Sequence, residues 1–365
     1  MALSTSITHG QIRGPVFDGA LIFGCAALAL LAGYAVTEWP ALFPALLLAD
    51  VWLLGSHHVI ATYTRICFDT DSLKQNKFFV FVLPWLVMLG VAAVVWFSKG
   101  RMMVTSIYLY WQWFHYMRQS YGVSRIYQRK GPPVGRLDEW VTSAMLYSIA
   151  LFGIMYRSYQ HIQNPQQLFL GSNFFAIPVD LAALAAVGAI ALVCLVMWVI
   201  SVLLRALDGK VTFPQVAYLL SHVVVFFVGY YWIEDITFGW LVVNTWHNSQ
   251  YILIVWLFNN NRFKNQVDPR HKFLSFISQT RFLWLYFAVC VAITFAFYGL
   301  VELLSVRLAP LLLPVLVTSQ GWAVVAYQGI NFHHYIVDSY IWKVRKPTIQ
   351  QNLGIQKELS AVVNG

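Results

Sequence analysis

Seven of the ten histidines in this chain fall inside stretches that otherwise carry almost no charge: His57, His58, His115, His222, His247, His333 and His334. Neutral imidazole is the commonest biological metal ligand, and its proton exchanges near neutral pH. The C-terminal pair lies in NFHHYIVDSYIWK, Asn331 to Lys343, with Asp338 four residues after His334. On a helix, Gln328, Asn331, His334 and Asp338 share one face, and His333 points about 100° away from it. The other histidines have polar company at the same helical spacing. Asp50 precedes His57 by seven residues, and His58, Thr62 and Arg65 form a neighbouring line. Tyr108, Trp111, His115, Arg118 and Gln119 share a face, as do Asn244, His247, Gln250 and Tyr251, and Gln215, Tyr218 and His222.

The elements that must carry these stripes are membrane helices. Apolar residues make up 59% of the 365 and charged residues 11%, against about 25% charged in a soluble domain. No charge occurs over the 21 residues Phe78–Ser98 or the 24 residues Leu181–Leu204, and roughly 20 apolar residues cross a bilayer core. The pattern predicts an all-α, polytopic membrane helix bundle of about ten transmembrane helices. Their expected ranges are 17–37, 41–65, 78–98, 102–127, 138–158, 180–205, 213–233, 236–259, 281–306 and 310–342, the last kinked near Pro314 or Gly321. Residues 1–365 read as a single integral membrane domain with short tails, 1–16 and 343–365, and no cleaved signal peptide. The four cysteines form no CxxC pair, and a disulfide framework, a thiolate zinc site and a haem attachment motif are all excluded.

The basic residues set the expected orientation. With the N-terminus inside, 19 Lys and Arg fall on the cytoplasmic side and four (Lys99, Arg101, Arg157 and Arg307) on the other, with Arg118 inside a helix. Both termini are therefore expected in the cytoplasm. The net charge of +9 is explained by this bias and by anionic lipid; the bases are spread over many loops, so nucleic acid is not expected as a partner.

Depth follows from topology. His58 lies seven residues before Arg65, His115 ten before Arg125, His334 nine before Lys343, His247 twelve before Asn259, and His222 twelve after Lys210. All five thus sit roughly 10–18 Å from the cytoplasmic helix ends. The expectation is one polar pocket in the cytoplasmic half of the membrane, enclosed by helices 2, 4, 7, 8 and 10. His9, His161 and His271 are expected in solvent.

Four or more imidazoles with Asp338 and Asp50 nearby suit iron, copper or zinc, and the lack of thiolates and a lipid-accessible site favour non-haem iron. First-choice ligands are His58, His115, His247 and His334; His57, His222 and His333 are second choices. Asp338 is expected to ligate or to orient a ligand, and Arg118 to pair with Asp338 or Asp50 or to hold an anionic substrate group. Tyr251 and Tyr108 are pocket candidates.

In design, several helices each giving a histidine, the chain resembles the membrane-integral non-haem iron oxygenases, the membrane carotenoid-cleaving dioxygenases in particular. The HxxxH and HxxHH boxes of membrane desaturases are not present, and no residue is carried over. The resemblance implies O2-dependent hydroxylation, desaturation or cleavage of a lipophilic substrate from the bilayer, with a separate reductase or electron donor if one atom of O2 goes to water. The rival readings are a b-type haem electron carrier (or another transition metal in the site), a His/Asp-dependent transporter, and a scaffold whose histidines only bond neighbouring helices.

Overall fold

A computed structural model describes residues 10–98, 101–304 and 319–355. The described residues are helical with no strand, apart from an isolated bridge between Phe169 and Ser172. Ten long helices fall on the ten expected ranges: α1 Pro15–Glu38, α2 Pro40–Ile66, α3 Phe78–Phe97, α4 Met102–Lys130, α5 Arg136–Gln163, α6 Leu181–Leu207, α7 Phe213–Trp232, α8 Ile236–Arg262, α9 Thr280–Glu302 and α10 Ser319–Ile341. His9, Lys99, Arg307, Pro314 and Lys357 lie outside the described residues, and with them the expected kink at Pro314.

Six of these helices, α1, α2, α3, α6, α7 and α9, are long and apolar enough to cross a membrane. Along most of α6 the surface is apolar and uncovered by the rest of the chain. An apolar surface of that extent is unfavourable against water and suits lipid. The architecture is that of a helical membrane bundle. The other four, α4, α5, α8 and α10, are more polar along their length, and three of them carry the histidine stripes.

Local signals start the helices where the chain enters them. Pro15, Pro40 and Pro214 stand in first turns, where a missing N–H costs nothing. Asp235 opens α8 by accepting from the amides of Thr237 and Phe238 at 2.8 and 2.9 Å. In the first turn of α1, the buried Asp18 carboxylate accepts from the amides of Ile12, Arg13 and Gly14, which precede the helix. At the far end of α7, the buried Arg157 guanidinium donates to the carbonyls of Gly229, Ile233 and Glu234, satisfying acceptors that a helix end leaves orphaned.

The central element is α8, buried along almost its whole length and packed against α1, α2, α4 and α7. Its start presses so closely on the end of α7 that a Cβ at Gly239 would collide with the Gly229 carbonyl. α10 lies against α3, α4 and α2, and α9 packs on α2 and touches α10 as well. In α2 the helix widens to a π-helical stretch over Asp50–Gly55, immediately before the two histidines. Such a stretch acts as one inserted residue and turns everything after it by about 100°.

Candidate metal centre

Four histidines from four helices converge: His58 of α2, His115 of α4, His247 of α8 and His334 of α10. The Nε2 atoms of His58 and His334 are 3.0 Å apart. Ring centroids of His58 and His247 stand 5.4 Å apart, His115 and His247 4.8 Å, and His115 and His334 5.1 Å. Asp338, one turn after His334, turns Oδ2 toward them, 3.4 Å from His334 Nε2 and 3.8 Å from His115 Nε2. Two groupings have ligand atoms all within 4.8 Å of one another: His58, His247 and His334, and His115, His334 and Asp338. Every one of these residues is buried.

The hydrogen bonds around the cluster have a direction. Asp338 Oδ1 accepts from the Tyr251 hydroxyl at 2.6 Å. Tyr251 also accepts from Trp342 Nε1 at 3.0 Å and lies 2.7 Å from Thr62 Oγ1. Thr62 Oγ1 lies 2.8 Å from His334 Nδ1. With Asp338 ionised and so accepting from Tyr251, Thr62 can donate to Tyr251 and accept from His334 Nδ1–H. That tautomer leaves the lone pair of His334 on Nε2, facing His58.

Neither ring nitrogen of His247 has a hydrogen-bond partner, and His115 Nε2 has none. A buried polar atom left unpaired costs about 1–3 kcal/mol. Two nitrogens each about 2.1 Å from one ion stand roughly 3.0–3.4 Å apart, which is the separation of His58 and His334. The donors therefore fit a transition-metal ion, with the Thr62–Tyr251–Asp338 chain as the outer support that fixes a ligating imidazole.

The other expected site residues lie elsewhere. His57 bonds the Leu53 carbonyl at 3.2 Å and packs on Phe287 of α9. His333 faces α3, with Nε2 2.6 Å from the Phe79 carbonyl and Nδ1 3.4 Å from the Tyr63 hydroxyl. His222 stands between Phe226 and Trp246, outside both groupings. The expected ion pair of Arg118 with Asp338 or Asp50 is not formed: Arg118 is exposed and donates to the Tyr147 hydroxyl at 2.6 Å. Asp50 belongs to a separate network, accepting from Asn244 Nδ2 and from Thr245 Oγ1 at 2.9 Å. Asn244 Oδ1 in turn accepts from Tyr116 and Gln112. Tyr108 packs against Phe169 of the 164–180 loop. His161 is buried against Phe174 rather than solvated, and His271 faces Asp69 and Asp71.

Two residues of the arrangement were not singled out as site residues from the sequence, Thr62 and Trp342. Each stands four residues after a cluster residue, His58 and Asp338, and helical spacing is the signal that places them on the same face.

A cavity of about 590 Å³ reaches the cluster, where it is lined by His115, Tyr251 and Asp338. It runs between α4 and α10 with Ile254 of α8 behind it. No residue of the 260–280 loop lines it; Lys343, Val344, Arg345 and Leu353, after α10, do. Compared with protein-family profiles, with curated proteins and with solved structures, the chain matches none of them.

Proposed function

We propose that this chain is a multi-pass membrane enzyme, with ten helices across the bilayer and both termini in the cytoplasm. It holds a transition metal, non-haem iron in the first instance, on His58, His115, His247, His334 and Asp338, and oxidises a lipophilic substrate with O2. The observation that carries this reading is the aimed His334 Nε2, 3.0 Å from His58 Nε2 and held by the Thr62–Tyr251–Asp338 chain, beside a buried His247 with no partner for either nitrogen.

The choice of metal rests on the donors. His115, His334 and Asp338 form a two-histidine, one-carboxylate set, the composition that leaves positions open on non-haem iron in oxygenases. No thiolate competes. The 3.0 Å between His58 and His334 Nε2 is too short for that pair to hold a haem between them, which would need about 4 Å. When bound, the metal supplies the redox chemistry toward O2. The protein's part is to fix the imidazoles, to exclude water by burial, and to carry protons along Thr62, Tyr251 and Asp338. In a dioxygenation both oxygen atoms enter the product and no outside electrons are needed. In a hydroxylation one atom enters the product and the other leaves as water, with two electrons and two protons from a separate donor.

Elemental analysis of the detergent-purified protein, beside its visible spectrum, tests the reading. Stoichiometric iron without a Soret band supports it. Iron with a Soret band replaces it with a haem protein. No stoichiometric metal after reconstitution under reducing conditions overturns it in favour of a transporter.

A further inference from the structure

The cavity that reaches His115 and Asp338 is basic at its other end. Arg125, Arg129, Lys343 and Arg345 line that end, Arg118 lines the cavity one turn from His115, and the only carboxylate among the lining residues is the buried Asp338 at its floor. Positive-inside orientation asks for basic residues at this level. It does not ask that four of them border one opening, nor that all of these but Arg125 lack an acidic partner. Among the described residues, the only carboxylate within 4 Å of any of the five is Glu139, 3.0 Å from Arg125. Arg118 donates to the neutral Tyr147 hydroxyl and Arg129 to the Val344 carbonyl, while Lys343 stands 5.1 Å over the Tyr340 ring.

Between His115 and Arg129 the α4 wall includes Gly122, Val123 and Ile126, faced by Ile254 of α8, while Trp111, Phe114 and Tyr335 give an apolar wall around His115. Gly122 of α4 leaves open space there, since a Cβ on it would meet nothing within 4 Å. From His115 to Arg129 is 14 residues of helix, or about 21 Å. A volume of about 590 Å³ is that of a site for one ligand of moderate size.

We propose that the cavity binds a single-chain amphiphile with an anionic headgroup, carboxylate or phosphate. The headgroup lies among Arg129, Lys343 and Arg345, and the chain runs past Gly122 toward His115 and Asp338. The inference names the substrate class of the proposed oxidation and rests on that reading for the reaction; the binding itself needs only the cavity and its charges. Guanidinium groups meet either headgroup with paired, charge-assisted hydrogen bonds.

Four ligands with one tail separate the terms: hexadecanoate, hexadecyl phosphate, hexadecanol and hexadecyltrimethylammonium. Each is titrated into the full chain in a non-ionic detergent, metal-free and metal-loaded, following the fluorescence of Trp111 and Trp342 against the other tryptophans by difference from their Phe variants. The two anions are expected to bind at least about tenfold more tightly than the alcohol and the cation not at all, with or without metal. The stronger of the two anions identifies the headgroup. Arg129→Gln with Arg345→Gln, both at the rim, should remove most of that preference while hexadecanol binding stays. Gly122→Trp should block all ligands; if it does not fold, the rim variants decide alone. Hexadecanol binding as tightly as the anions, or a preference that survives the rim variants, overturns the proposal. Because the readout is the same without metal, failure of the headgroup site and failure of the metal centre are separate results.

Discussion

His58 and His334 are 276 positions apart in the chain, and their Nε2 atoms meet at 3.0 Å in the bundle. The contact joins α2 to α10, with His247 of α8 and His115 of α4 completing a ring of imidazoles around it. Helices distant in sequence each contribute one such side chain, all directed at one point, and the predictions below follow from that convergence.

Substitution of His58, His115, His247 or His334 by Ala should lower bound metal at least about tenfold, since each removes one ligand, while the protein stays folded in detergent. His57→Ala, His222→Ala and His333→Ala should keep their metal. Metal per chain, measured by elemental analysis across the seven variants, checks this. Retention of full metal in the first four variants would rule out the centre.

Thr62→Val keeps the shape of the side chain and removes the hydroxyl between His334 Nδ1 and Tyr251. Metal affinity should fall about 10- to 100-fold, as for other losses of a group that orients a ligating imidazole. Tyr251→Phe should act in the same direction, because it cuts the chain to Asp338 one step later. Competition with a chelator of known affinity measures both, and an unchanged affinity in both variants would show that the chain does not set the tautomer.

Asp50 is expected to matter for stability and not for metal. Asp50→Leu strands the buried donors of Asn244 and Thr245, at a cost of about 1–3 kcal/mol for each unpaired group. Thermal unfolding in detergent should shift down with metal content per folded chain unchanged. Loss of metal below the unfolding transition would instead bring Asp50 into the centre.

The loop after α2 contains an acid-sensitive tie. Burial pushes the Asp69 carboxyl up, but the Arg262 guanidinium at 2.8 Å and the amide and hydroxyl of Ser72 outweigh it and hold it at about 2. That is below the ordinary value of about 3.9, so the group adds stability that is complete above about pH 4 and lost as the pH falls toward 2. The unfolding midpoint of the wild type should drop across that window, and Asp69→Asn, already weakened at neutral pH, should drop less. Parallel curves for the two proteins would show that Asp69 does not report on acid stability.

Much of the fold was legible along the chain, because burial in lipid writes itself into composition. Uncharged runs such as Leu181–Leu204 admit little else than a membrane-type helix, and all ten expected ranges carry helices. Part of the arrangement around the histidines was legible too, since depth along a helix is a matter of counting residues from a charged end. Counting placed His58, His115, His247 and His334 at one level, but it placed His222 there as well. Which helices stand beside one another at that level is a lateral question, and no periodicity answers it; His222 faces Phe226 and Trp246 instead.

The choice within each adjacent pair was likewise closed to the sequence. In a regular helix Asp50 and His57, seven apart, share a face. The π-helical stretch Asp50–Gly55 inserts one residue's worth of rotation, so His58 takes that place and His57 turns to Phe287 of α9. Arg118 shows the same limit: its depth suggested a buried ion pair, yet its rotation puts it on the open side of α4. The sequence by itself determined the apolar elements, their order and the level of the polar side chains, all of which depend on local composition and a fixed rise per residue. Only the tertiary structure decided which imidazoles meet, because rotation about each axis and the neighbours of each helix are set by packing between segments far apart in the chain.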